Sequence, residues 1–210
     1  MARLGGLMVH YSTDYVFDGR KAGAWTEDDV PAPISAYGRT KLAGEQAVAA
    51  AGGAHFIFRT AWVYGRRGGN FMLTMIRLMR ERDELRVVAD QHGTPTWCRT
   101  LADIPAQIIA RCWGDDAARD LVRREQGGVY HLTNAGATTW HEYACAIRDT
   151  APELAARRHV RVHPIASSEY PSPAARPANS VLDNGRLAKV FGIQAAPWRK
   201  ALEACLAEQV

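Results

Sequence analysis

Short apolar runs alternate with helix-forming stretches along this chain, and that alternation limits the fold more than any other feature. Residues 7–12, 55–59, 85–88, 129–133 and 160–165 read as strands. Between them, residues 36–51 form a helix that Ser35 can cap at its start and Gly52-Gly53 can end. In residues 70–82, Phe71, Met75, Leu78 and Met79 recur at helical spacing. Residues 101–113 are apolar enough to lie on a sheet, and Thr139 or Trp140 opens a helix running to Thr150. Two short helices, over 183–191 and 197–206, close the chain, whereas 18–34, 91–96, 115–128 and 167–177 read as turns, loops or exposed polar segments. Strands that alternate with helices in this way pair in parallel, so the expected fold class is α/β.

Two motifs carry chemistry. Thr13 lies in Ser-Thr-Asp-Tyr-Val-Phe-Asp-Gly (12–19), and Tyr37 and Lys41 lie in Tyr-Gly-Arg-Thr-Lys (37–41). Residues four apart share a helix face, so phenol and ammonium are neighbours. A nearby ammonium favours phenolate and brings a hydroxyl that titrates near ~10 closer to working pH. Such a group can protonate a carbonyl oxygen while hydride reaches the carbon. An exposed helical pair would show the same spacing, so the pattern gains force only from its surroundings.

Composition removes several other classes. The net charge of +4 is modest and the basic residues are spread, whereas nucleic-acid binding needs a focused basic face. Cys98, Cys112, Cys145 and Cys205 have neither close-spaced pairing nor metal-ligand spacing, and the seven histidines form no zinc signature. No metal is expected. Without an apolar run of roughly 18 residues or a leader with a cleavage pattern, a cytoplasmic protein is expected.

An ordered series of motifs extends from end to end. After those above come Thr26-Glu27-Asp28, Arg59-Thr60-Ala61-Trp62-Val63-Tyr64-Gly65, Asn70-Phe71, Asp90-Gln91 with Gly93 and Pro95-Thr96, Gly128-Val129-Tyr130-His131, and Arg176-Pro177 with Ser180 and Asp183. With this series the chain resembles the C-terminal two thirds of an extended short-chain dehydrogenase/reductase. Within that superfamily it resembles the dTDP-4-dehydrorhamnose reductase family. The resemblance implies the C-terminal part of a Rossmann-type parallel sheet plus a smaller α/β substrate-binding region. Residues 1–134 would be the remaining half of an NAD(P)-binding domain, with substrate-binding segments interleaved near 63–100. Residues 135–210 would be mainly substrate-binding.

It also implies roles. Tyr37 would donate a proton to the C4 keto oxygen of dTDP-4-dehydro-L-rhamnose, and Lys41 would hold the nicotinamide ribose of NADPH or NADH. Thr13 would bond the substrate oxygen or the tyrosine, and Thr60 and Ala61 would pass the nicotinamide. Asp14, Tyr15 and Trp62 would line the sugar site, and Arg176 would grip the diphosphate. Related sugar-nucleotide dehydratases carry an adjacent acidic pair after the threonine. Here Tyr15 follows Asp14, which favours reduction over elimination. The partner is a dTDP-sugar, not nucleic acid or membrane, and a homodimer is left open.

A glycine-rich nucleotide turn does not occur in this sequence. The expectation is therefore an N-terminally truncated enzyme missing roughly 90 residues, at about 30 per βαβ unit, and inactive alone. Another nucleotide-4-ketosugar reductase and a non-catalytic reductase-like regulatory subunit remain alternative readings.

Overall fold

The computed structural model describes residues 5–170 and 175–208. Strand β1 (Met8–Thr13) leads through a one-turn 3-10 segment, Asp14–Val16, and a long loop into helix α1 (Ala36–Ala50). Strands β2 (His55–Thr60) and β3 (Val63–Tyr64) precede helix α2 (Phe71–Glu81). Strands β4 (Glu84–Val88), β5 (His92–Gly93) and β6 (Thr96–Trp97) follow, then helices α3 (Cys98–Cys112) and α4 (Asp116–Leu121). Strands β7 (Gly128–His131) and β8 (Thr138–Thr139) lead to helix α5 (Trp140–Thr150). Strand β9 (Arg161–Ile165) and helices α6 (Gly185–Phe191) and α7 (Trp198–Ala207) complete the chain. Part of the expected loop over 167–177 falls at 171–174, outside the described residues.

Helix starts coincide with polar caps, which satisfy amides that have no partner within the helix. Ser35 Oγ accepts the Gly38 amide at 3.0 Å, Asn70 Oδ1 accepts that of Leu73 at 3.1 Å, and Thr139 forms a reciprocal capping box with Glu142. The polar 115–128 stretch, expected as an exposed segment, contains α4 and a π-turn over Val122–Gln126. Its helix is capped by Asp115, whose carboxylate accepts the Ala118 amide at 2.8 Å.

The main sheet has the order β1-β2-β7, all parallel, with Thr13 opposite Thr60 and Arg59 opposite His131. Strands β4 and β9 form a second parallel pair, and β3 pairs with β6. Among the described residues, two large apolar cores result, beside a small cluster of Val16, Phe17, Trp25 and Leu182. One joins the main sheet to α3 and α6 through Phe56, Phe58, Ile108, Leu132 and Leu187. The other gathers α2, α5 and α7 over β4 through Met72, Met79, Tyr143, Ile147 and Leu202. Helix α6 thus belongs to the sheet's core although it lies late in the chain. Each fully buried Leu, Ile or Met contributes roughly 1.5–3 kcal/mol.

Glu45 of α1 and Arg59 of β2 form a buried bidentate ion pair at 3.0 and 2.7 Å, with both side chains 5% exposed. It ties the helix to the sheet at Arg59, which lies opposite Ser12 of β1. Among the described residues, no helix is long and apolar enough to cross a membrane.

Candidate active site

The site begins where β1 ends. Thr13 caps the 3-10 turn: its hydroxyl oxygen accepts the Tyr15 amide at 3.2 Å and donates to Asp14 Oδ1 at 2.8 Å. The turn drives the Tyr15 carbonyl against the first turn of α1. A Cβ on residue 38 would lie 2.1 Å from that oxygen, so only glycine allows the approach. Tyr37 is thereby set beside the turn, its ring meeting that of Tyr15 edge-on at 5.9 Å. The Tyr37 side chain is 55% exposed. One helical turn on, Lys41 Nζ donates to the Tyr11 carbonyl of β1 at 2.5 Å. Thr13, Tyr15, Tyr37 and Lys41 are thus gathered at the carboxyl end of a parallel strand, where open α/β sheets bind ligands.

Asp14 does not line an open surface. It is 3% exposed, and burial pushes its carboxyl up to about 6 against the opposing effect of the Thr13 hydrogen bond. Its Oδ2 is buried without a hydrogen-bond partner, close to Ser180, whose own hydroxyl donates to the His92 carbonyl. Burial, and then the Asp14 charge, raise the Tyr15 phenol, while the nearby Arg176 guanidinium acts in the opposite direction. Thr60, in register with Thr13, ends β2 with Oγ1 buried and unpartnered, and Ala61 beside it is 2% exposed.

A second group of aromatic side chains adjoins this corner. Trp62 has a positive φ of 44° and stacks on Trp140 with centroids 3.5 Å apart and planes at 9°. Trp140 in turn meets Phe71 at 4.6 Å, and Phe71 lies over Tyr143 at 5.5 Å. Trp140 and Phe71 form part of the wall of a cavity of about 1170 Å³, together with Leu78, Val87, Arg86 and Arg176. Arg176 is exposed, lines this cavity and is near enough to Tyr15 to act on its phenol. The sequence marks neither Trp140 nor Phe71 as a candidate site residue. Phe71 reads there as helix core and Trp140 as a helix opener, and no local pattern pairs residue 62 with residue 140.

A family model described as RmlD substrate binding domain matches residues 1–210. A dTDP-4-dehydrorhamnose reductase of Burkholderia thailandensis is 49% identical over 207 residues, covering 97% of this chain and 68% of that protein. The Salmonella typhimurium protein of the same name is 40% identical, covering 97% and 66%. Among solved structures, a Bacillus anthracis dTDP-4-dehydrorhamnose reductase in complex with NADP superposes with a TM-score of 0.85 at 36% identity, over 99% of this chain and 68% of that one. A Clostridium acetobutylicum reductase of that name gives 0.84 at 39% identity, over 97% and 66%. The chain spans about two thirds of the length of the relatives it matches.

Proposed function

The chain belongs to the RmlD substrate binding domain family, and from that premise we propose that its site reduces the C4 keto group of dTDP-4-dehydro-L-rhamnose to give dTDP-L-rhamnose. The carrying observation is Tyr37, an accessible phenol one helical turn from Lys41, packed on the turn that Thr13 caps. An acid so placed delivers its proton to a ketone oxygen as that oxygen gains negative charge.

The residues present fit the nicotinamide-ribose end of NADPH or NADH. The Lys41 ammonium can donate to ribose hydroxyls, and the buried Thr60 Oγ1 lacks a partner beside the same strand ends. When bound, such a cofactor supplies hydride to the carbonyl carbon. The Bacillus anthracis relative's complex with NADP supports this choice of cofactor class.

Thr13 has a narrower role than its residue type alone implies. Its one proton goes to Asp14 and one lone pair to the Tyr15 amide, so a single acceptor position remains. It therefore acts through the turn it caps, which sets Tyr37 beside Tyr15 and leaves the single phenol proton of Tyr37 for the ketone oxygen. Trp62 forms the apolar wall for the deoxysugar. Beyond it, the cavity lined by Trp140 and Phe71 takes the nucleoside, and Arg176 meets the diphosphate, a geometry suited to a guanidinium. Asp14 serves inside the protein as the anchor of Thr13.

The test is NADPH- or NADH-dependent turnover of dTDP-4-dehydro-L-rhamnose by the natural gene product, with the product identified by NMR. Formation of dTDP-L-rhamnose is expected. Binding of the ketosugar without oxidation of either nucleotide would point instead to the regulatory-subunit reading.

A further inference from the structure

Trp62 is the only non-glycine residue with positive φ among the described residues. Bulky aromatic residues seldom adopt that conformation, and it persists only where the surroundings over-determine it. Three contacts do so here. The Trp62 carbonyl accepts the Thr96 amide at 3.1 Å, which fixes the backbone. Trp140 covers the indole in near-parallel contact at 3.5 Å. Gly93 lies against the indole so closely that a Cβ there would sit 2.4 Å from Cε2 and 2.6 Å from Nε1.

The last two contacts come from one unit. Strand β5 pairs His92 with Thr139 and Gly93 with Thr138, and Trp140 follows Thr139 directly. The Thr139–Glu142 capping box fixes where α5 starts, and therefore where Trp140 stands. Stack and floor are thus parts of one paired segment.

We propose that Trp140 and Gly93 are positioning residues that clamp the Trp62 indole in one orientation, so that the wall facing the sugar is formed before ligand arrives. The proposal rests on Trp62 being that wall. A fixed indole gives recognition of the deoxysugar without the entropy loss of ordering a free side chain on binding. Adding a Cβ at residue 93, or removing the flat ring at residue 140, unseats the indole and removes the part of the affinity that the sugar contributes.

The experiment follows the Trp62 indole N–H resonance in the ¹⁵N-labelled full chain and compares calorimetric affinities for dTDP-L-rhamnose and dTDP. In the unsubstituted chain a single sharp Trp62 signal and a preference of about 10-fold for the rhamnosyl nucleotide are expected, the scale of one good apolar contact. Gly93→Ala should shift or split the signal and reduce the preference to about 2-fold or less. Trp140→Leu should broaden the same signal, and Trp140→Phe, which keeps a flat ring, should largely preserve it. A Trp62 signal and a ligand preference both unchanged in Gly93→Ala would overturn the clamp, and so would an unchanged Trp62 signal in Trp140→Leu. A chain that binds neither nucleotide would count against the reductase reading alone, because the Trp62 signal still decides the clamp.

Discussion

The corner around Thr13, Tyr37 and Lys41 and the aromatic wall around Trp62 and Trp140 are neighbours, yet they are built in opposite ways. The corner is polar and accessible: Tyr37 is more than half exposed, and hydrogen bonds to Asp14, the Tyr15 amide and the Tyr11 carbonyl position its partners. The wall is apolar, continuous with the core of α2, α5 and α7, and stacked ring on ring. On the proposed function Tyr37 is a proton donor, and a donor that has to reach its substrate is suited to a surface with few contacts. A recognition wall gains from rigidity, which dense packing supplies. Damage to polar anchoring should therefore injure the corner and spare the wall.

The largest test of that contrast lies under the corner. Arg59→Leu leaves the Glu45 carboxylate buried without its partner, and should cost about 3–5 kcal/mol in urea unfolding. The companion double variant Glu45→Leu/Arg59→Leu should recover much of that loss. In both, the near-UV circular dichroism of the stacked indoles should survive wherever the chain is folded. Loss of that signal together with α1 would mean the two regions are not separately built.

Asp14 supplies a pH test of the same anchoring. Its folded pKa of about 6 lies above the ordinary 3.8, so between these values the folded chain binds more protons than the unfolded one. Stability from this group therefore falls as pH rises from about 4 to about 6, by up to about 3 kcal/mol at about 1.4 kcal/mol per pKa unit. Asp14→Asn removes that fall, so its stability relative to the parent should climb across the window. Buried His131, lowered to about 3, works the other way: stability is lost as pH falls below about 6.5. The difference between parent and variant cancels that contribution. A difference flat with pH would show that Asp14 is not held in the buried form.

Gly38→Ala tests the close approach that starts α1. With the Tyr15 carbonyl 2.1 Å from the added Cβ, turn and helix must move apart, at about 1–3 kcal/mol by thermal unfolding. The smallest expected effect belongs to Arg77→Ala, which breaks an exposed pair with Glu81 on the outer face of α2. It should change stability by about 0.5 kcal/mol or less and leave both regions intact.

Much of this architecture was legible in the residues. The helix expected over 36–51 is Ala36–Ala50, and that expected over 70–82 is Phe71–Glu81, because polar caps and apolar periodicity agree at both. The two-residue strands were not legible, since two residues carry no periodicity and their pairing depends on distant segments. At the candidate site, the motif spacing places Tyr37 and Lys41 one helical turn apart, and both lie on α1. What local pattern could not reveal was direction: the Asp14 side chain is buried, and Lys41 reaches back to the Tyr11 carbonyl. The Trp62–Trp140 stack was equally hidden, because it joins two residues that only the assembled core brings together.

On the proposed function, Tyr37 is the proton donor. Steady-state kinetics of Tyr37→Phe in the natural gene product, with dTDP-4-dehydro-L-rhamnose as substrate, measures that role. The expected result is a kcat lower by about 10²–10⁴-fold with the ketosugar KM nearly unmoved. A kcat within about threefold of the parent, far short of what loss of a general acid should cause, would contradict it.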